Sequence, residues 1–319
     1  MTLPIEVADG IYQIQIPLPF ALRIVNCYLL RDGDGWTIVD TGINTPEGQA
    51  VWLGAFAALN IQLRNLRRIL LTHVHPDHYG MAGWLQTLAA HQDHELPVYT
   101  SPKEIRQASM IWENYGTLQF SDWLITQGMP ETMARAVDAG LEDTRLMTLP
   151  HPPELLPIYA DDTLTIGERN FTLILADGHS DGQLMLYDAD DKLMLSGDHV
   201  LMKITPNIGR WTHTDPQPLQ RYLASLNNLR DLEVRLALSG HKALIHDWRG
   251  RITELLAHHE ERLQHTQDAL QAGNITPYDV TLVIFQHMKF TPHEWRFALA
   301  EALAHMDELE RRSLVVSHK

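Results

Sequence analysis

The chain has 319 residues, with Lys+Arg 25 against Asp+Glu 40 and a formal net charge of −15 at neutral pH. This length suits a domain of about 200 to 250 residues plus a smaller appendage. The composition excludes disorder, collagen and coiled coil, and the acidic balance disfavours a polynucleotide partner, because phosphate binding draws on clustered Lys and Arg.

Cys27 is the single cysteine, so no intramolecular disulfide is available, and the opening MTLPIEVADG has neither a basic flank nor an apolar run. A reducing, cytoplasmic setting is the expectation. No apolar stretch approaches the roughly 18 residues of a membrane span.

In chain order, the first half reads as short strands and turns. Ile5 to Ile16 alternates loosely, Asn26 to Arg31 follows, Asp32-Gly33-Asp34-Gly35 is a turn, and Trp36 to Asp40 is a buried strand. Thr45 and Pro46 open a helix to about Leu59, as N-cap and first helical residue. Arg68 to Thr72 is a core strand running into His73, Gly80 to Ala90 is helical, and Pro97 to Thr100 is a strand. Ser101 to about Met147 is a helical insertion carrying Met110, Trp112, Tyr115, Phe120, Trp123 and Met129. Strands resume at Thr163 to Ile166, Phe171 to Leu175, Leu184 to Tyr187 and Lys192 to Leu195. Pro218 to Leu229 is a helix and Val234 to Leu238 the last core strand. Three helices follow, from Trp248 to about Ala272, Pro277 to about His287 and Pro292 to about Glu310, with a terminal strand at Leu314-Val315-Val316. The order of elements predicts an α/β fold in which helices cover packed sheets.

The chemistry lies in the placement of the 18 histidines. In Thr72-His73-Val74-His75-Pro76-Asp77-His78, side chains two apart on extended backbone point the same way, so His73 and His75 can reach one ion. Pro76 turns the chain and presents Asp77 and His78 to a second position. This spacing is not the i, i+4 helical pair of a zincin. Three more polar clusters sit just beyond core strands: Asp177-Gly178-His179-Ser180-Asp181-Gly182, Ser196-Gly197-Asp198-His199 and Ser239-Gly240-His241. Five histidines and two carboxylates are enough for two ions bound by imidazole and carboxylate.

With these motifs in the order HxHxDH, GH, GD, GH, the chain resembles the metallo-β-lactamase-fold hydrolases over roughly residues 5 to 245, Val39-Asp40-Thr41-Gly42 included. The resemblance implies an αββα metallo-β-lactamase sandwich over residues 1–247, with residues 101–147 inserted, and a small C-terminal helical, winged-helix-like domain over residues 248–319. It implies His73, His75 and His179 on a first metal, Asp77, His78 and His241 on a second, Asp198 bridging them, and Asp40 bracing the histidine loop. Ser180-Asp181 stands where the family usually has Thr-Pro.

A bridging aspartate at Asp198 favours the glyoxalase II, lactonase and thioesterase branch over true β-lactamases, and His241 follows Asp198 by 43 positions, too short an interval for the large domain of the RNA-processing nucleases. The expected activity is hydrolysis of a carboxylic ester, thioester or lactone by a metal-bridging hydroxide, with Asp77 orienting it and receiving its proton. The alternatives are a phosphodiesterase or ribonuclease of the same fold and a non-enzymatic metal-binding sensor. A ligand set of N and O without sulfur suits two divalent transition-metal ions, zinc first, with iron or manganese also fitting.

The expected partner is a small-molecule acyl substrate, with no DNA and no membrane. From Gly250 onward the chain holds 7 basic and 10 acidic residues, poor support for a recognition helix, so this segment is expected to pack on the catalytic domain or a partner subunit. The aromatic residues of 101–147 have three readings: packing on the core, roofing the substrate pocket, or a homodimer contact. His199 reads as a packed or ligand-supporting histidine, with a substrate contact as the alternative, and the histidines outside the motifs, His258, His259, His293 and His305 among them, as solvated or satisfied ones.

Overall fold

The computed structural model describes residues 3–114, 120–160 and 162–313. A seven-stranded sheet runs in chain order through β1 (Ile5–Ala8), β2 (Ile11–Pro17), β3 (Ile24–Asp32), β4 (Gly35–Val39), β5 (Leu66–Leu70), β6 (Val98–Thr100) and β7 (Leu156–Pro157). A five-stranded sheet has the order β12-β11-β10-β9-β8, from β8 (Thr163–Ile166), β9 (Arg169–Ala176), β10 (Gln183–Asp188), β11 (Leu193–Gly197) and β12 (Leu236–Ser239). The loosely alternating stretch from Ile5 to Ile16 forms a hairpin of β1 and β2. Gly10, at φ +69°, supplies the left-handed backbone that reverses the chain, and Ile5 pairs with Gln13. The two-residue β7 carries no periodicity a sequence could show.

Alternation along β3 explains the layering. Tyr28 and Leu30 face the core between the sheets, where they meet Phe171, Leu186, Leu195 and Leu238. Cys27 and Leu29 face the opposite side, toward Trp52 of α1 (Pro46–Ala58) and Leu85 of α3 (Ala82–Ala90), which follows the single turn α2 (Pro76–Tyr79). The second sheet is covered in the same way by α7 (Pro218–Leu229) and α8 (Trp248–Gln271), through Tyr222, Leu226, Ile252 and Leu255. Helix, sheet, sheet, helix is the resulting order of layers. Thr45 caps α1 as expected, its side chain accepting from Gly48 N at 3.1 Å.

The insertion comprises α4 (Pro102–Ala108), a π-helical turn (Ser109–Glu113), α5 (Phe120–Thr126) and α6 (Glu131–Leu146). The C-terminal helices α9 (Pro277–Ile284) and α10 (Pro292–Arg311) each start with a reciprocal capping box, Thr276 with Asp279 and Thr291 with Glu294. Leu299 and Leu303 of α10 bury against Phe120, Leu124 and Val137 of the insertion, so the C-terminal helices and the insertion share one apolar cluster. Tyr115 and the expected strand at Leu314-Val315-Val316 lie outside the described residues.

The ends of β4, β5, β9, β11 and β12 come out on one edge of the sandwich. Cross-sheet hydrogen bonds close that edge: Tyr28 Oη donates to Ser239 O at 2.8 Å, Asn26 Nδ2 to the same oxygen at 3.0 Å, and Leu184 N to Thr72 O at 2.7 Å.

Candidate metal centre

All seven residues singled out by the motifs converge on this edge. Their ligand atoms form three overlapping groups: His73, His75 and His179; His73, His78 and Asp198; and Asp77, His78 and His241, each with its atoms within 4.8 Å of one another. His73 follows β5, His179 follows β9, Asp198 follows β11 and His241 follows β12, so strand ends from both sheets supply donors to one site. Asp198 lies in the middle: its carboxylate is 3.2 Å from His241 Nε2, 3.4 Å from His78 Nε2 and 3.8 Å from His179 Nε2.

The second nitrogen of the ring sets where each imidazole points. His78 Nδ1 donates to Asp40 Oδ2 at 2.8 Å, His179 Nδ1 to Asn207 O at 2.9 Å, and His241 Nδ1 to Ile24 O at 2.8 Å. Their Nε2 atoms are thereby turned into the site, and those three atoms and Asp198 Oδ1 are buried with no hydrogen-bond partner. A buried polar atom without a partner is costly. Three imidazole nitrogens and a carboxylate oxygen in that state, aimed at one point, fit a metal ion.

Asp40 braces the histidine loop as expected. It also accepts from Thr72 N at 2.7 Å and Thr72 Oγ1 at 2.8 Å, from a left-handed backbone at φ 58°. Gly240 makes room for Asp198: a Cβ there would lie 2.1 Å from Asp198 Oδ1 and 2.8 Å from His78 Cε1.

The electrostatics favour a cation. Burial works against ionising Asp198, but His241 and His78 overcome it and hold the carboxyl well below its usual range. Burial would likewise push His241 down, yet Asp198 and Asp77 outweigh it and raise the imidazole to about 10. Asp77 is held at about 2 against its burial, by His78 and His241. His73 and His75 are instead pushed well below the ordinary histidine value by burial and neighbouring imidazoles, and stay neutral donors.

Other candidates sort clearly. His199 is buried and packed, its Nε2 2.9 Å from Ser225 Oγ and its ring edge-on to Tyr222. Cys27 is buried in β3, and burial raises its thiol pKa well above the ordinary value. Trp112 is 5% exposed; its indole donates to Val74 O at 2.9 Å and stacks on Tyr79, so it lies beneath the histidine loop. Phe120 and Trp123 pack on Trp211 and on the C-terminal helices.

Two residues that the motifs do not mark stand behind the site. Asn207 holds His179, and Glu104 bonds the loops carrying His73, His75 and His179. Asn207 carries no sequence signal. Glu104 has one, the Ser101-x-x-Glu104 spacing, but that spacing reads as a helix cap.

Fold and site together define a metal-dependent hydrolase. Residues 21–241 match the metallo-beta-lactamase superfamily and residues 263–318 the metallo-beta-lactamase-like C-terminal domain, so the chain belongs to the metallo-beta-lactamase superfamily. It is 24% identical to the probable metallo-hydrolase YqjP of Bacillus subtilis across 97% of this chain and 95% of that one. It is 26% identical to the acyl-coenzyme A thioesterase MBLAC2 of Homo sapiens across 61% of this chain and 65% of that one. A metallo-beta-lactamase family protein from Thermus thermophilus superposes with a TM-score of 0.86 at 32% identity, over 98% of this chain and 97% of that one. No helix among the described residues is long and apolar enough to cross a membrane.

Proposed function

We propose that the protein is a dinuclear hydrolase of carboxylic esters, thioesters or lactones, with zinc as the first candidate metal. The observation that carries the two-ion reading is the position of Asp198. It lies within 3.8 Å of His179, from the group with His73 and His75, and within 3.4 Å of His78 and His241, from the group with Asp77. A single carboxylate placed to serve both groups is what a bridging ligand requires.

Divalent ions bound there would supply Lewis acidity toward a carbonyl oxygen and a water acidified toward neutral pH. The chain's own residues hold the geometry. Asp40, Asn207 O and Ile24 O fix three imidazoles so that none need reorganise during reaction. Asp77 is ionised at neutral pH and 3.2 Å from His241, where its carboxylate can accept a hydrogen bond from an attacking water and orient it. No protein nucleophile is called for.

The acyl substrate class is supported by the thioesterase relative, and the formal charge of −15 weighs against a long polyanionic substrate. The test is a panel of acyl thioesters, lactones and bis-p-nitrophenyl phosphate on protein loaded with zinc, iron or manganese, with elemental analysis alongside. Close to two ions per chain and preferred turnover of an acyl substrate are expected. Asp77→Ala is expected to lower that turnover by about 10²- to 10⁴-fold with little change in melting temperature. Preference for the phosphodiester, or a chain that holds no metal after reconstitution, overturns the reading.

A further inference from the structure

Ser101 and Glu104 have the spacing of a capping box, in which the N-cap hydroxyl accepts from the third helical N–H and that residue's carboxylate returns to the N-cap backbone. The first half is present: Ser101 Oγ accepts from Glu104 N at 3.2 Å. The second half is not made. The Glu104 carboxylate, fully buried, turns away from its own helix and accepts three hydrogen bonds from elsewhere. Val74 N donates to Oε2 at 2.9 Å, Gly182 N donates to Oε1 at 3.0 Å, and Ser180 Oγ donates to Oε1. Val74 lies between His73 and His75. Ser180 follows His179. One carboxylate thus ties together the two loops that carry one candidate ligand group.

The neighbouring contacts reinforce this. Ser101 Oγ donates to Gly182 O at 2.6 Å, so both ends of the first turn of α4 hold the loop after His179. Asp181, also buried, accepts from Gln107 Nε2 of the same helix at 2.5 Å, from Asp215 N at 2.8 Å and from Arg221 Nη2 at 2.8 Å. Ser180 and Asp181 are the two positions where this chain departs from the usual Thr-Pro, and both side chains engage α4. A local rule broken at a buried carboxyl group, with partners on two ligand loops, points to a role beyond helix capping.

We propose that Glu104 is a positioning residue of the metal centre: it sets the His73–His75 segment and His179 at a fixed separation, without being a ligand itself. This rests on the metal reading above. Glu104→Gln keeps the shape but sets an amide N–H₂ against a backbone N–H or the Ser180 hydroxyl, and Ser180→Ala removes one bond without touching the carboxyl group. Gln107→Leu, which frees Asp181 on the same helix but touches neither loop's ligand-flanking bond to Glu104, controls for loosening of α4.

The experiment is cobalt(II) loading of the full chain, reading affinity by chelator competition, the d–d absorption spectrum, and the melting temperature of the metal-free protein. Glu104→Gln is expected to weaken cobalt binding by about 10- to 100-fold and to change the spectrum. Ser180→Ala should move both in the same direction by less, and decides the matter if Glu104→Gln does not fold. Gln107→Leu should lower the melting temperature with spectrum and affinity kept. Wild-type affinity and spectrum in the folded Glu104 or Ser180 variant, with only melting lowered, overturn the proposal. A wild-type chain that binds no cobalt overturns the metal reading itself.

Discussion

Asn207 joins His179 to the C-terminal domain. Its carbonyl oxygen accepts from His179 Nδ1 at 2.9 Å, while its side-chain amide donates to Phe297 O of α10 at 3.1 Å and to Glu301 at 3.3 Å. Glu301 in turn is 3.6 Å from Arg262 of α8. The orientation of a candidate ligand is thus set from outside the catalytic sandwich. Asn207→Ala leaves the carbonyl and removes the tether. It is expected to cost about 1 to 2 kcal/mol of stability, the net worth of one or two hydrogen bonds. Metal dissociation should quicken, measured by stopped-flow chelation. A stability loss with wild-type dissociation would separate α10 from the site.

Gly240 tests how tightly Asp198 is seated. With a Cβ calculated to fall 2.1 Å from Asp198 Oδ1, Gly240→Ala must displace either the carboxylate or the β12 end. The His78 ring, 2.8 Å from the same Cβ, is pressed as well, and metal affinity is expected to fall by about tenfold or more. Calorimetric titration measures it, and unchanged stoichiometry with unchanged affinity counts against the role given to Asp198.

Acid stability should depend on histidines outside the ligand set. Burial holds His305 down to about 4, against an unfolded value of about 6.5, and its immediate surroundings are Glu301 O, Arg262, His258 and Glu308. His305 Nδ1 donates to Glu301 O at 2.7 Å, and its Nε2 is 3.2 Å from His259 Nδ1. The folded chain therefore keeps this ring neutral while the unfolded chain takes up a proton. The stability it contributes is complete above about pH 6.5 and is lost as pH falls toward 4, on the order of 3 kcal/mol in all. His305→Gln should flatten urea-derived stability across that window. An unchanged slope would assign the acid sensitivity to other groups, among them His213, which burial also holds near 4.

Much of this arrangement was legible in the sequence, and the reasons differ by residue. The ligand candidates were legible because His179, Asp198 and His241 each follow a glycine just beyond a strand and His73 and His75 lie two apart on extended chain, both local patterns. Helices such as Pro218–Leu229 were legible because proline at the start and apolar periodicity mark them locally. Glu104 was not, because its partners are 30 and 78 residues away and its spacing mimics a cap. Asn207 acts through its backbone carbonyl, which every residue possesses. The His259–His305 pair spans 46 residues between two helices, and no periodicity announces it.

The candidate ligands are divided between the sheets: His73, His75, Asp77 and His78 follow β5 of one, and His179, Asp198 and His241 follow strands of the other. No pair of contiguous elements can assemble this site, so a growing chain cannot complete it until the last strand, which carries His241, has docked. Ion binding would then act as a staple across the open edge of the sandwich. Free metal at a hundred times its dissociation constant would add about 2.7 kcal/mol to the folded state, roughly a hundredfold fewer unfolded molecules. Starvation for metal would therefore shorten the lifetime of the chain in the presence of proteases as well as silence it.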